Sequence, residues 1–326
     1  MKKVLVLGAT GAMGRYVVPE LNRLGYAVTG VSLDDQTDIQ GDAFDMDFLK
    51  GLLAQKFDGI INFMSYGRHD FSDYYQLFLE NTDHYIFLSS CRVYDDLEVP
   101  VRETSPRLWD SSKDEALRAS HDYCIHKAQD EDLLMNSPYR NFTIVRPATT
   151  FSTLRLQLVT LEFKDTVARA MQGKKVVLPI QAKEKPATLS WGGDVGRMIA
   201  RLLFKEEAMR EVYNVCSAES RTWGEIADYY KELVGLEAVW VDKEEYLAIL
   251  DPEIKPNVRW QLEYARLFRR ITDNSKVLKV VGMKQEELMP LYDGLKLEIA
   301  NTPADYIPPE TSIGKRMDEY LKERNL

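Results

Sequence analysis

Residues 3–24 read KVLVLGATGAMGRYVVPELNRL, and this stretch limits what the chain can fold into. Val4 to Leu7 is a continuous apolar run, as a strand buried on both faces requires. Val17, Val18, Leu21 and Leu24 then recur at helical spacing. Between them stand Gly8, Gly11 and Gly14. A strand that runs into a helix through such a turn aims the helix's free N–H groups and positive dipole end at one point, a ready anion site. Gly8 permits the sharp turn, Gly11 admits a pyrophosphate to the backbone, and Gly14 lets helix and strand pack closely. The spacing G-x-x-G-x-x-G is one residue longer than the dinucleotide fingerprint. A tight turn that holds nothing is the bland alternative, and the strand–helix context disfavours it.

Downstream, strand patterns recur at 27–32, 57–64, 84–90 and 141–147, with helical stretches between them, the longest over about 112–136. Such alternation predicts βαβ units in an α/β, doubly wound parallel sheet. Ligands of such sheets sit beyond the carboxyl ends of the strands, which singles out Gly8, Ser32, Asp42, Met64, Ser90 and Pro147. Segments 188–204 and 211–217 read as a return to the sheet. From Thr222 onward the chain is helix-rich. We therefore expect a dinucleotide-binding core over 1–150 plus 187–218, and a smaller substrate-binding cap over 151–186 and 219–326. Within the cap, RWQLEYARLFRR (259–270) reads as an amphipathic helix.

The formal net charge of −9 argues against nucleic-acid and anionic-membrane partners. The apolar run at the start is too short, and too soon broken by glycine, for a signal peptide, and no stretch reaches transmembrane length. Cys91, Cys124 and Cys216 lack metal or C-x-x-C spacing and read as free thiols of a cytoplasmic protein. His69, His84, His121 and His126 show no ligand spacing either, so no metal is expected. His126 is expected to point away from the face shared by Tyr123 and Lys127.

Those two residues are four apart on a predicted helix, hence on one face. Singly, such a pair means little, as does Ser89-Ser90 at a strand end. Their order along the chain lifts them. With GATGAMG (8–14), GDAFD (41–45), SSCRVY (89–94), YCIHK (123–127), VRPATTF (145–151), WGGDVG (191–196) and YNVCS (213–217), the chain resembles the extended, epimerase/dehydratase-like branch of the short-chain dehydrogenase/reductase superfamily. The resemblance implies a Rossmann-type fold and an NAD(P)-dependent oxidoreductase or epimerase/dehydratase acting on a carbinol or keto group, sugars and their derivatives included. It implies Tyr123 as acid/base and Ser90 as hydrogen-bond partner of the reacting oxygen. Lys127 would hold the nicotinamide ribose and favour the phenolate by its charge. It implies cofactor contacts from Gly8, Thr10, Gly11, Ala12, Met13, Gly14, Ser32, Asp34, Asp42, Ala43, Met64, Lys127 and Pro147, with Asp42 accepting from the adenine amino group. Arg92, Thr149 and Thr150 fall where substrate would sit.

The chain departs from the pattern at informative places. The acid that binds the ribose in NAD users is replaced by Ser32, with Asp34 and Asp35 displaced by two and three. These acids tilt the cofactor toward NAD, and Arg15 is the argument for NADP. Ala187 stands where many nucleotide-sugar enzymes carry an arginine. The segment from Met64 to Tyr85 is short for a branch that often forms homodimers there. The rival function is a dinucleotide-binding regulatory or sensor protein without turnover, which the Tyr123/Lys127 pair disfavours.

Overall fold

A computed structural model describes the chain from Met1 to Leu326, with side chains outside 68–70, so His69 lies outside the described side chains. Its strands are β1 (Lys3–Leu7), β2 (Ala27–Ser32), β3 (Ile39–Gln40), β4 (Gly59–Asn62), β5 (His84–Leu88), β6 (Phe142–Pro147), β7 (Thr149–Phe151), β8 (Val176–Pro179), β9 (Pro186–Trp191), β10 (Glu211–Val215), β11 (Ser220–Thr222) and β12 (Ala238–Val241).

Seven of them form one parallel sheet in the order β10-β6-β5-β4-β1-β2-β3. β1 lies between β2 and β4, so the strand order reverses beside it, at the switch point where doubly wound sheets bind ligands. Both faces are covered, as the unbroken apolar runs demand. Val4, Val6, Ile61, Ile86 and Val145 enter one buried cluster, and Leu5, Leu7, Ile60, Phe87 and Ile144 enter the other. His84 is a core histidine. Its Nδ1 accepts from Phe204 N–H at 2.8 Å and its Nε2 lies 2.8 Å from Thr143 Oγ1. Burial lowers its pKa to about 4, which keeps it neutral.

The chain divides into two units. The first comprises 1–150, 190–218 and 272–288 and contains the sheet. The second comprises 151–189, 219–271 and 289–326. Where the sequence puts all of 219–326 in a cap, the structure returns 272–288 to the sheet unit. Val277, Leu278, Val281 and Met283 sit in its core, and Asn274 Nδ2 donates to Cys216 O at 2.8 Å. In the second unit β12 pairs with β8 in parallel, and β11 pairs with β9 in antiparallel fashion through Ser220↔Thr188 and Thr222↔Pro186.

Two helix expectations change. The stretch 112–136 is not one helix. It breaks before Tyr123, because Asp122 turns out of helical geometry and caps the helix Tyr123–Asn136 through Cys124 N–H. The stretch 259–270 is helical only at its start. The helix Pro256–Gln261 passes into a π turn over Leu262–Arg266, closed by Leu267 N–H donating to Leu262 O. The Trp223 indole donates to the Arg266 carbonyl at 3.1 Å, and Arg270 N–H, which a continuing helix would give to that carbonyl, donates to Pro186 O at 3.0 Å instead.

Candidate active site

The glycine turn is built by the backbone. Gly8 has φ +82°, and the N–H groups of Gly8 and Ala9 both donate to Val31 O, at 2.9 and 3.1 Å. A Cβ on Gly14 would stand 2.2 Å from Gly8 O and 2.6 Å from Ala9 O, so only glycine lets the helix Gly14–Arg23 start this close to β1. A Cβ on Gly11 would meet Gly8 O alone, at 3.2 Å, and otherwise project into open space. Met13, at the helix N-cap, supplies no side-chain acceptor for the first-turn N–H groups. Arg15 N–H donates to Gly11 O at 3.1 Å and Tyr16 N–H to Met13 O at 3.0 Å, so it is the open side of Gly11 and the dipole end that make a cradle fitting a pyrophosphate.

The neighbouring strand ends face the same turn. Ser32 ends β2, and its Oγ accepts from Thr10 N–H at 3.1 Å. Thr10 Oγ1 donates to Asp34 at 2.6 Å. That bond comes first, with the Gln36 N–H bond and the Arg15 charge also contributing, in lowering the Asp34 pKa. Asp42 lies just past β3 and accepts from Phe44 N–H at 2.9 Å; Ala43 beside it is buried. Met64 follows β4, held by its N–H to Asn62 Oδ1, and its Sδ comes within 3.9 Å of the Cβ position at Gly8. Ala12 lies inside the turn itself. Pro147 is buried at the end of β6, away from the turn in strand order, and pairs with Val215.

The helix Tyr123–Asn136 carries the second group. Ser90 caps the 3-10 turn Cys91–Val93, its Oγ accepting from Arg92 N–H at 3.1 Å. Arg92 reaches from that turn to the helix start. Its Nη2 pairs with Asp122 at 3.0 Å and its guanidinium lies 5.6 Å from the Tyr123 ring centre. Lys127 is fully buried. Its Nζ donates to Leu88 O at 2.7 Å and stands 5.9 Å from the Tyr123 ring centre. Burial lowers its pKa to about 8 against the opposing pull of Asp130 and Glu131. One of three ammonium donors is thus taken by Leu88 O. Arg92 and Lys127 both lie near the Tyr123 ring, and Ser90 joins that group through the bond it accepts from Arg92 N–H. Thr150 donates to Ala148 O at 3.1 Å, and Thr149 begins β7. His126 does not point away. Three residues from Tyr123 on the same helix, it packs edge-on with ring centres 5.4 Å apart, its Nδ1 being 3.5 Å from Asp130.

Beneath these residues lies a buried polar knot that the motifs do not reveal. Glu131, one turn past Lys127, accepts from Ser89 Oγ at 2.5 Å, from Arg146 at 2.7 and 2.6 Å, and from Arg107 at 3.2 Å. Burial works to raise its carboxyl, but the two arginines and Ser89 hold it below its usual range. Arg146 also donates to Tyr94 OH at 2.8 Å, and Tyr94 donates to Asn214 at 2.7 Å. The knot ties the ends of β5, β6 and β10 to the helix. The Lys-to-Glu spacing of four was its one readable signal.

A model of the NAD dependent epimerase/dehydratase family matches residues 4–216. The chain belongs to this family. Members of the family are NAD-dependent enzymes of that kind, and the cradle at Gly8–Gly14 suits a nicotinamide dinucleotide. No curated protein matches the chain. Solved structures match it throughout. UDP-N-acetylglucosamine 4-epimerase from Bacillus cereus is 13% identical with a TM-score of 0.69, over 95% of this chain and 99% of that one. dTDP-glucose 4,6-dehydratase from Bacillus anthracis, solved with NAD, is 15% identical with a TM-score of 0.67, over 92% and 96%. UDP-glucose 4-epimerase from Thermotoga maritima, solved with UDP-glucose, is 16% identical with a TM-score of 0.66, over 91% and 97%. These likenesses are of fold. Among the described residues this family member has no group of three or more His, Cys, Asp or Glu able to hold a metal ion, and no helix long and apolar enough to cross a membrane.

Proposed function

We propose that the chain is an oxidoreductase of the epimerase/dehydratase type, using NAD and acting at a carbinol or keto carbon of a small molecule, sugars being the first candidates. The sugar nucleotides named for the similar structures motivate that choice. The bound nicotinamide supplies the hydride chemistry. The protein's part is to move a proton and hold the oxygen. Tyr123 takes the proton from the carbinol oxygen, or returns it to the keto oxygen. Ser90 donates a hydrogen bond to that oxygen as negative charge develops. Lys127 favours the phenolate by proximity of charge. The cofactor lies along the turn residues Gly8–Gly14, with Ser32, Asp34, Asp42, Ala43 and Met64 at the adenosine end and Lys127 and Pro147 at the nicotinamide end. Arg92, Thr149 and Thr150 face the substrate.

The observation that carries this reading is the meeting of Ser90's turn, Tyr123 and Lys127 around one ring, joined by the Arg92–Asp122 pair. A panel of hydroxy and keto compounds, sugars included, followed at the nicotinamide absorbance with NAD and NADP, tests it. Tyr123→Phe should lower turnover by about 10²–10⁴ while leaving dinucleotide affinity intact. Turnover at the wild-type rate in that variant would remove Tyr123 from the mechanism. A second reading, a sensor that binds dinucleotide without turnover, draws on the complete burial of Lys127 and its bond to Leu88 O. It predicts tight binding and no turnover across the whole panel.

A further inference from the structure

We propose that His126 is a positioning residue for Tyr123, standing between the phenol and the buried Asp130 carboxylate and compensating a charge that would oppose the phenolate. This rests on the reading that Tyr123 is the acid/base. In the helix Tyr123–Asn136, residues 123, 126, 127, 130, 131 and 134 form one stripe at helical spacing. Only Leu134 among them is aliphatic, yet His126, Lys127, Asp130 and Glu131 are all buried. A buried charge must be compensated. Glu131 is compensated by Arg146 and Arg107, and Lys127 donates to Leu88 O. Asp130 has no place in either arrangement. Its Oδ1 has no hydrogen-bond partner among the described residues, and its Oδ2 faces His126 Nδ1 at 3.5 Å.

The other neighbour of the imidazole is Tyr123. The two rings meet edge-on, their centres 5.4 Å apart and their planes at 87°. An ionised carboxylate can only accept, so Nδ1 carries a proton toward Asp130. That proton compensates the carboxylate in part when the ring is neutral and in full when it is an imidazolium. Burial raises the Asp130 carboxyl, and His126 and Lys127 oppose the rise. The surrounding groups are otherwise matched. Tyr85 of β5, which faces Asp130, is a phenol that burial keeps neutral. Arg92, 5.6 Å from the Tyr123 ring centre, is paired with Asp122. His126 thus decides how much of the Asp130 charge reaches the phenol. Charge on Asp130 works against the phenolate and the His126 proton works for it, so removing one and removing the other move Tyr123 in opposite directions. A residue that merely packed against the ring would have no such sign.

Alkaline titration of the full chain, followed at the tyrosinate absorbance and read as the difference from the same protein carrying Tyr123→Phe, isolates the ionisation of Tyr123. His126→Phe keeps a ring beside Tyr123 and removes the proton, and should raise the midpoint by about half a unit or more. Asp130→Asn keeps an acceptor for Nδ1 and removes the charge, and should lower it by about as much. With a substrate found in the panel, at one fixed pH, kcat of His126→Phe should fall by about threefold or more while KM and NAD affinity hold. Should His126→Phe fail to fold, His126→Gln, which retains a donor for Asp130 and is never an imidazolium, should raise the midpoint in the same direction. Midpoints that stay in place, or that move the same way in both variants, overturn the proposal and leave Tyr123 as the acid/base. So does a wild-type kcat in His126→Phe. Turnover at the wild-type rate in Tyr123→Phe overturns both.

Discussion

The glycine turn and the knot around Glu131 sit at the carboxyl ends of strands of one sheet and are made in opposite ways. The turn opens to solvent at Gly11 and is shaped by backbone: a positive φ at Gly8, a close approach at Gly14, an open side at Gly11. The knot is buried and shaped by side chains, a carboxylate between two guanidinium groups, with Ser89, Tyr94 and Asn214 extending the network. A site made of backbone can lose its ligand without losing the fold. A site resting on buried charges cannot, because each partner removed strands another. The comparison predicts that binding and stability separate at the turn and move together at the knot.

The sharpest test is Glu131→Ala. It leaves Arg146 buried without its carboxylate, and unfolding by denaturant should show a loss of about 3–5 kcal/mol. A loss below about 1 kcal/mol would mean that the knot is dispensable to the fold. Gly14→Ala comes next. Its methyl must displace the Gly8 and Ala9 carbonyls, which should cost about 1–3 kcal/mol and also weaken NAD binding. A variant that keeps wild-type stability would show that helix and strand need not approach so closely.

A smaller effect is set by pH. The Lys127 ammonium, with its pKa brought down to about 8 in the fold, is disfavoured there relative to the unfolded chain. Between that value and the ordinary lysine range the unfolded chain holds more protons, so stability rises with pH. Relative to Lys127→Met, the wild type should gain about 1 kcal/mol between pH 8 and pH 9. A flat difference would place the amine in contact with water. The smallest effect on the fold belongs to Gly11→Ala. Its methyl has only Gly8 O nearby, so stability should hold within about 0.5 kcal/mol while calorimetry shows dinucleotide binding reduced. If stability falls as far as binding, the contrast between the two regions fails.

The same difference explains what the sequence discloses. A backbone turn must write its glycines at fixed spacing, so Gly8, Gly11 and Gly14 are readable, as are the parallel strands, whose burial on both faces demands unbroken apolar runs. Tyr123 and Lys127 are readable because one helix carries both. The knot is not. Ser89, Arg107, Glu131, Arg146 and Asn214 come from five separate stretches, and nothing local in a glutamate or an asparagine foretells burial beside its partners. Asp34 is an intermediate case. Its distance from Ser32 is visible, but its return to Thr10 depends on how Asp38 and Gln40 fold the loop. His126 departs from the expectation because three helical steps of about 100° bring i+3 back to within about 60° of i. The helical pattern over 259–270 fails where the Trp223 indole, far off in sequence, claims a carbonyl.

The order in which the sheet unit receives its parts has a consequence for its assembly. Its edge strand β10 and the segment 272–288 come after long stretches of the second unit have been synthesised. Until residue 214 has left the ribosome, Tyr94 has no acceptor in Asn214, and the outer edge of β6 has no strand to pair with. A nascent chain therefore waits with its glycine turn already encoded and its sheet still open on one side. By the same logic a fragment cut after residue 150 would carry every glycine of the dinucleotide cradle and still expose an unpaired parallel edge, an invitation to aggregate.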